Sequence, residues 1–136
     1  MATILSDKHC EGHAVAIFRA LKRLGYVELL DLHFETFEDV GLADKAPDET
    51  VWLLCQEKGY LLLTGNRRTV DGEQSLELVT QRLATLQTLP VLTIGTLARV
   101  LYDNDYCERC AETIALIVIE PERFVGTPRL YIPLSE

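Results

Sequence analysis

PDETVWLLCQEKGYLLLTG, running from Pro47 to Gly65, contains a helix start, a helix, a stop signal and a strand in direct succession. Proline suits the first turn of a helix, where its missing N–H is not needed, and the acidic Asp48 and Glu49 favour the positive end of the helix dipole. The helix is expected to run to about Lys58, with Val51, Trp52, Leu54 and Cys55 turned toward a sheet and Gly59 ending it. Asp48 precedes Val51, Trp52 and Cys55 by three, four and seven positions, which puts it on the buried side of the first turn. Leu61 to Leu63 then reads as a short buried strand that delivers the chain into Gly65-Asn66-Arg67-Arg68-Thr69-Val70-Asp71.

The same alternation extends in both directions. Residues 2 to 6 are a short apolar run suited to a buried parallel strand, and Gly12 to Leu24 follows with Ile17, Leu21 and Leu24 at helical spacing before Gly25. Tyr26 to Leu32 is expected to be a second strand, and the acidic, turn-rich segment from Phe34 to Ala46 a loop. After the loop from Gly65 to Gln74, Ser75 caps a helix in which Leu76, Val79, Leu83 and Leu86 keep a 3.6-residue period. Residues 90 to 94 form a fourth strand with Pro90 in its tolerated first position. Asn104 to Ile119 is a last helix stopped by Pro121, and Arg129 to Ile132 adds an edge strand. The expected fold is therefore one α/β domain over residues 1–136, a three-layer α/β/α sandwich with a mainly parallel sheet of four to five strands.

Composition fits that reading: the chain has 136 residues, 48% hydrophobic and 25% charged, enough for one self-sufficient core. The formal net charge of -8 opposes long-range attraction to nucleic acid and argues against affinity for naked duplex DNA. No stretch approaches the length of an apolar membrane span and the first residues lack a secretion-signal succession, so the expected location is the cytoplasm, with no membrane partner. In that reducing compartment Cys10, Cys55, Cys107 and Cys110 are expected to be free thiols. Cys107 and Cys110 have redox-motif spacing, but inside a helix and on its apolar face, which favours core packing.

Buried strands that each end in a carboxylate or an amide gather those groups at one edge of a parallel sheet, where open α/β folds place their chemistry. Asp7 follows the first strand, Asp48 and Glu49 open the middle helix, and Asn66 follows the third strand. Such a set of oxygen donors suits a hard divalent cation.

These residues resemble the PIN-like domains, in particular a compact bacterial group with a short acidic motif after the first strand. The resemblance is carried by Ile4-Leu-Ser-Asp7, Pro47-Asp-Glu-Thr-Val-Trp52 and Leu61-Leu-Leu-Thr-Gly-Asn-Arg67 and by their order, and covers about the first 95 residues. The part from Pro90 to Pro133 looks like that of uncharacterised bacterial relatives of the group. The resemblance implies a magnesium- or manganese-dependent ribonuclease that cuts single-stranded RNA with metal-activated water. Many such proteins are the toxin halves of toxin–antitoxin pairs, so an antitoxin-like protein partner is implied as well. Carried over by position, Asp7 is the first-strand carboxylate, Asp48 or Glu49 the helix-borne one, and Asn66 stands where the family usually has aspartate. An amide oxygen coordinates without contributing charge, so metal affinity falls, and Asp71, or Glu73 further along, is the candidate replacement.

Other residues extend or compete with this reading. Arg67 and Arg68 at the mouth of an acidic cleft suit an RNA phosphate backbone, with solvation or a salt bridge as the alternative. His9, beside Asp7, is a candidate phosphate contact or proton carrier, and equally a surface residue. His9 and His13 are four apart, as helical metal ligands would be, but no further ligands accompany them. Asp7 can also serve only as a cap, Asp48 and Glu49 as first-turn acids, and Asn66 and Asp71 as turn formers. The corresponding alternative function is a catalytically degenerate PIN-like domain acting as a protein-binding module; a third is a small-molecule or nucleotide-binding protein. Dimerisation through the apolar face between Cys107 and Ile119 competes with use of that face by the core.

Overall fold

Five strands, β1 (Ala2–Ser6), β2 (Leu32–Glu35), β3 (Leu61–Gly65), β4 (Val91–Ile94) and β5 (Arg129–Ile132), lie side by side in the order β2-β1-β3-β4-β5, every neighbouring pair parallel. They belong to a computed structural model that describes residues 1–65 and 70–134, with the side chains of residues 70–75 left out. The helices are α1 (Glu11–Arg23), α2 (Tyr26–Leu30), α3 (Asp48–Lys58), α4 (Val70–Leu83), α5 (Arg99–Tyr102) and α6 (Asn104–Ile119). Short 3-10 turns cover Lys8–Cys10 and Pro121–Arg123.

Alternate residues of the inner strands feed two separate cores. Ile4, Leu61, Leu63, Leu92 and Ile94 pack with Ile17 and Leu21 of α1 and Ala111, Ile114 and Ile117 of α6. Leu5, Leu62 and Val91 point the other way, onto Val51, Trp52 and Cys55 of α3 and Leu76 and Val79 of α4. Leu61-Leu62-Leu63 is therefore apolar throughout because each of its faces is covered, and the result is a three-layer α/β/α architecture. Cys107 and Cys110 belong to the first core, so the apolar face of α6 is used inside the domain.

The segment after Gly25 departs from expectation. Tyr26 to Leu30 is a short helix, begun by Gly25 and closed by Asp31, both in the left-handed region with φ of 88° and 51°. Tyr26, Val27 and Leu30 pack on the first core at helical spacing, while Leu29 is 74% exposed. The second strand follows as Leu32–Glu35, paired from Ala2↔Leu32 to Leu5↔Glu35, so that it begins at the last residue of the expected strand and runs into the acidic segment expected as a loop. That loop also contributes Phe37 to the second core. Further on, α4 starts at Val70 rather than at Ser75 and ends at Leu83, which leaves Leu86 beyond it and 84% exposed. The helix α5 was not expected from the sequence. No helix among the described residues is long and apolar enough to cross a membrane.

Leu92, fully buried at the centre of β4, anchors the first core. Replacing it with alanine is expected to lower the free energy of unfolding by about 2–5 kcal/mol through lost burial and the cavity left behind. The same truncation at Leu78, 63% exposed on α4, should stay within about 0.5 kcal/mol. Urea denaturation of the two variants measures the difference.

Candidate functional site

In a parallel sheet ordered β2-β1-β3-β4-β5, the chain leaves β1 toward one side for β2 and is carried back past β1 to β3 on the other. The carboxyl ends of β1 and β3 therefore meet at the point where strand order reverses, the usual place for a ligand in such folds. Asp7 stands there. Its N–H continues the ladder by donating to the Leu63 carbonyl at 2.8 Å, one residue past the end of β1.

The Asp7 carboxylate is 15% exposed, and a buried carboxylate requires donors. Its Oδ1 accepts the Lys8 N–H at 2.7 Å, which caps the 3-10 turn, and its Oδ2 accepts the Thr64 hydroxyl at 2.9 Å. His9 Nδ1 lies 3.3 Å from the same Oδ2. The other ring nitrogen, Nε2, accepts the Gly65 N–H at 3.3 Å. Asp7, His9, Thr64 and Gly65 thus form one polar group across the ends of two adjacent strands.

The packing at this strand end is built around an absent side chain. A Cβ at Gly65 would sit 2.8 and 2.9 Å from the two Leu97 methyl groups and 3.2 Å from His9 Nε2. Leu97, in the turn between β4 and α5, can cover the end of β3 only because position 65 is glycine. Beneath the site, the Cys10 thiol lies 3.6 Å from the carbonyls of both Asp7 and Leu63. Burial pushes that thiol up to about 12, and burial followed by the negative charge of Asp7 pushes Cys55 to about 12 as well. Both sulfurs are protonated packing groups, the opposite of what a reactive thiol needs.

Lys8, next to Asp7, has its Nζ 3.3 Å from Asp44 and 3.8 Å from Glu11. Asp48 and Glu49, both half-buried, form the first turn of α3 four and five residues beyond Asp44. Glu49 is engaged in an ion pair with Arg82 near the end of α4. His13 does not extend the group: burial, and then the neighbouring His9, lower its pKa, and its Nδ1 is buried without a hydrogen-bond partner. Among the described residues no three His, Cys, Asp or Glu side chains are grouped so as to hold a metal ion. Asn66, Arg67 and Arg68, and the side chains of Asp71 and Glu73, lie outside the described residues.

Two neighbours of Asp7 went unread in the sequence. Thr64 donates its hydroxyl to Asp7 and is fully buried, and its signal is a polar residue closing an apolar run. Leu97 gives no signal, because its role depends on the turn that carries it. Thr64 is also the register partner of Thr93 on β4, whose hydroxyl accepts the Arg129 Nε–H at 2.9 Å. A polar row therefore runs across the sheet from Asp7 through Thr64 to Thr93 and Arg129. A scan against protein-family models and searches of curated proteins and of solved structures found no match.

Gly65→Ala is expected to destabilise the fold by about 1 kcal/mol, at the low end for overpacking because the opposing Leu97 methyls end a flexible side chain. Adding Leu97→Ala should cost less than the sum of the two single changes, since it removes the atoms in conflict, and a denaturation double-mutant cycle reads this directly. The buried thiols give a second expectation. Their raised values mean that folding favours the protonated form, so their contribution to stability is full below the ordinary thiol value of 9.0 and is lost as pH climbs toward about 12. At pH 8 the folded protein should react slowly with an aromatic disulfide reagent, and all four cysteines should react once guanidinium unfolds it.

Proposed function

We propose that the chain is a PIN-like, divalent-cation-dependent ribonuclease whose crevice lies at the exits of β1 and β3. The observation that carries this reading is the place of Asp7: a carboxylate oriented by a cap, a hydroxyl and an imidazole at the reversal point of a parallel sheet. The donor chemistry fits magnesium or manganese. Asp7 and Asp48 are hard oxygen donors, and such ions need only one or two carboxylates because they keep several waters and take substrate phosphate oxygens as further ligands. The amide oxygen of Asn66 is a neutral addition, and Asp71 is a further carboxylate close by in sequence.

When bound, the cation supplies a water of lowered pKa and offsets charge developing on the phosphate. The chain's own residues do the rest. Asp7 and Asp48 hold the ion, and Thr64 and His9 keep the Asp7 carboxylate aimed. Arg67 and Arg68, immediately after Asn66, meet the RNA backbone and counter locally the overall charge of -8. Single-stranded RNA is the substrate class that this reading implies.

A second reading is a catalytically degenerate PIN-like domain that binds an antitoxin-like or other protein partner. The ion pair of Glu49 with Arg82 favours it, since it withdraws one of the candidate ligands. The two readings part on Asp7→Asn. In the nuclease, calorimetric titration shows manganese binding below millimolar concentration, an unstructured fluorescent RNA is cut only with the ion present, and Asp7→Asn lowers cutting by about a hundredfold or more. Absence of binding below millimolar concentration sinks the nuclease. An effect in cells that Asp7→Asn leaves unchanged supports the binding module instead.

A further inference from the structure

We propose that His9 is a positioning residue that substitutes for the missing next rung of β1, holding the Asp7 carboxylate and the Gly65 amide in one fixed arrangement. The need for it follows from how parallel strands pair. In a parallel ladder the N–H groups of alternate residues face the same neighbour. On β3, Leu63 faces β1, and its carbonyl receives the Asp7 N–H. Gly65, two residues on, presents its N–H toward the same side, where β1 has already turned into Lys8–Cys10. The carbonyl that the ladder would offer it, that of Asp7, instead accepts the Cys10 N–H at 3.2 Å and the Ser6 hydroxyl at 3.0 Å. The His9 Nε2, at 3.3 Å, takes the place of that carbonyl.

This contact also determines the chemistry at the opposite side of the ring. A backbone amide can only donate, so Nε2 must be bare and accept, and the proton of the neutral imidazole then resides on Nδ1. Nδ1 is the atom that faces Asp7 Oδ2 at 3.3 Å. The Gly65 amide thereby selects the tautomer whose N–H lies on the side of Asp7, and a protein-held hydrogen bond on one nitrogen dictates what the other can do. Thr64, immediately before Gly65, donates to the same Oδ2 at 2.9 Å. The exits of β1 and β3 are thus joined twice, through the Thr64 hydroxyl and through His9. Leu97 packs where a Gly65 side chain would begin, which covers the amide and the ring nitrogen together. Both ring nitrogens are used within the protein, so the role of His9 is exercised through Asp7 and not by contact with substrate.

The part of this proposal that concerns cation affinity rests on the nuclease reading; the part that concerns geometry does not. Three measurements on the full chain test it. Long-range proton–nitrogen correlation spectra of the wild type should show His9 protonated at Nδ1 and bare at Nε2; the reverse tautomer overturns the proposal. The Gly65 amide should exchange with solvent about tenfold faster in His9→Ala, the size expected for one lost hydrogen bond. His9→Gln, whose amide both donates and accepts, should restore much of that protection, whereas equal exchange in all three proteins overturns the proposal. Manganese affinity should fall by about tenfold in His9→Ala and recover in His9→Gln, as for loss of a residue that orients a ligand. If the wild type binds no manganese, the nuclease reading fails alone and the tautomer and exchange results decide the role of His9. If the wild type binds manganese and His9→Ala binds it equally well, the positioning role is refuted while the nuclease reading stands.

Discussion

Backbone hydrogen-bond satisfaction at the ends of buried parallel strands is the constraint from which the rest of this molecule follows. β1, β3 and β4 have both faces covered, so their side chains alternate between two cores and their amides find partners only in neighbouring strands. That arrangement stops abruptly where β1 ends at Ser6 while β3 runs on to Gly65. Beyond the end, amides that would have met a strand need side-chain partners. Ser6, Thr64 and Thr93 are fully buried polar residues near these strand ends. The concentration of hydroxyl, carboxylate and imidazole at one edge is, in the first instance, the fold completing its own hydrogen bonds.

How much of this could be read in advance depended on whether the deciding physics was local. Helix α6 was legible as Asn104 to Ile119, stopped by Pro121, and in the fold Asp103 caps its start by accepting the Tyr106 N–H. Helix α3 was equally legible, from Pro47-Asp48-Glu49 to Gly59. The start of α4 was not, since Asp71-Gly72 has the composition of a turn and Ser75 that of a cap. Strand β2 was placed too early because it is an edge strand: only Leu32 is fully buried, and the stronger apolar group just before it, Tyr26 to Leu30, packs as a helix. Apolar content alone could not separate the two.

The site divides in the same way. Asp7 was legible because it ends an apolar run. The contacts that give it meaning span 57 positions to Thr64 and link His9 across 56 positions to Gly65, and they depend on β3 lying beside β1. Strand order is a tertiary fact that periodicity does not carry. Gly65 shows the limit most plainly. In sequence it is a turn residue leading to Asn66, whereas in the fold its lack of a side chain makes room for Leu97 and keeps its amide within reach of His9.

The two ways in which this molecule holds its acidic groups bear on which of them can serve a cation. Glu49 is matched with the guanidinium of Arg82, a full opposite charge that offsets its own. Lys8 is likewise held by Asp44 and Glu11, and its pKa is raised, first by the hydrogen bond with Asp44. Around Asp7 a backbone amide and a hydroxyl donate to the carboxylate and fix its direction, with the His9 ring 3.3 Å from Oδ2. An oriented carboxylate is what a hard ion requires of its ligand, because the ion must recover from the site the stabilisation it gives up in leaving water. The hydrogen bonds that explain Asp7 as a structural cap are therefore the same ones that would fit it to bind a cation. The two roles compete only if the cap must break for the ion to enter.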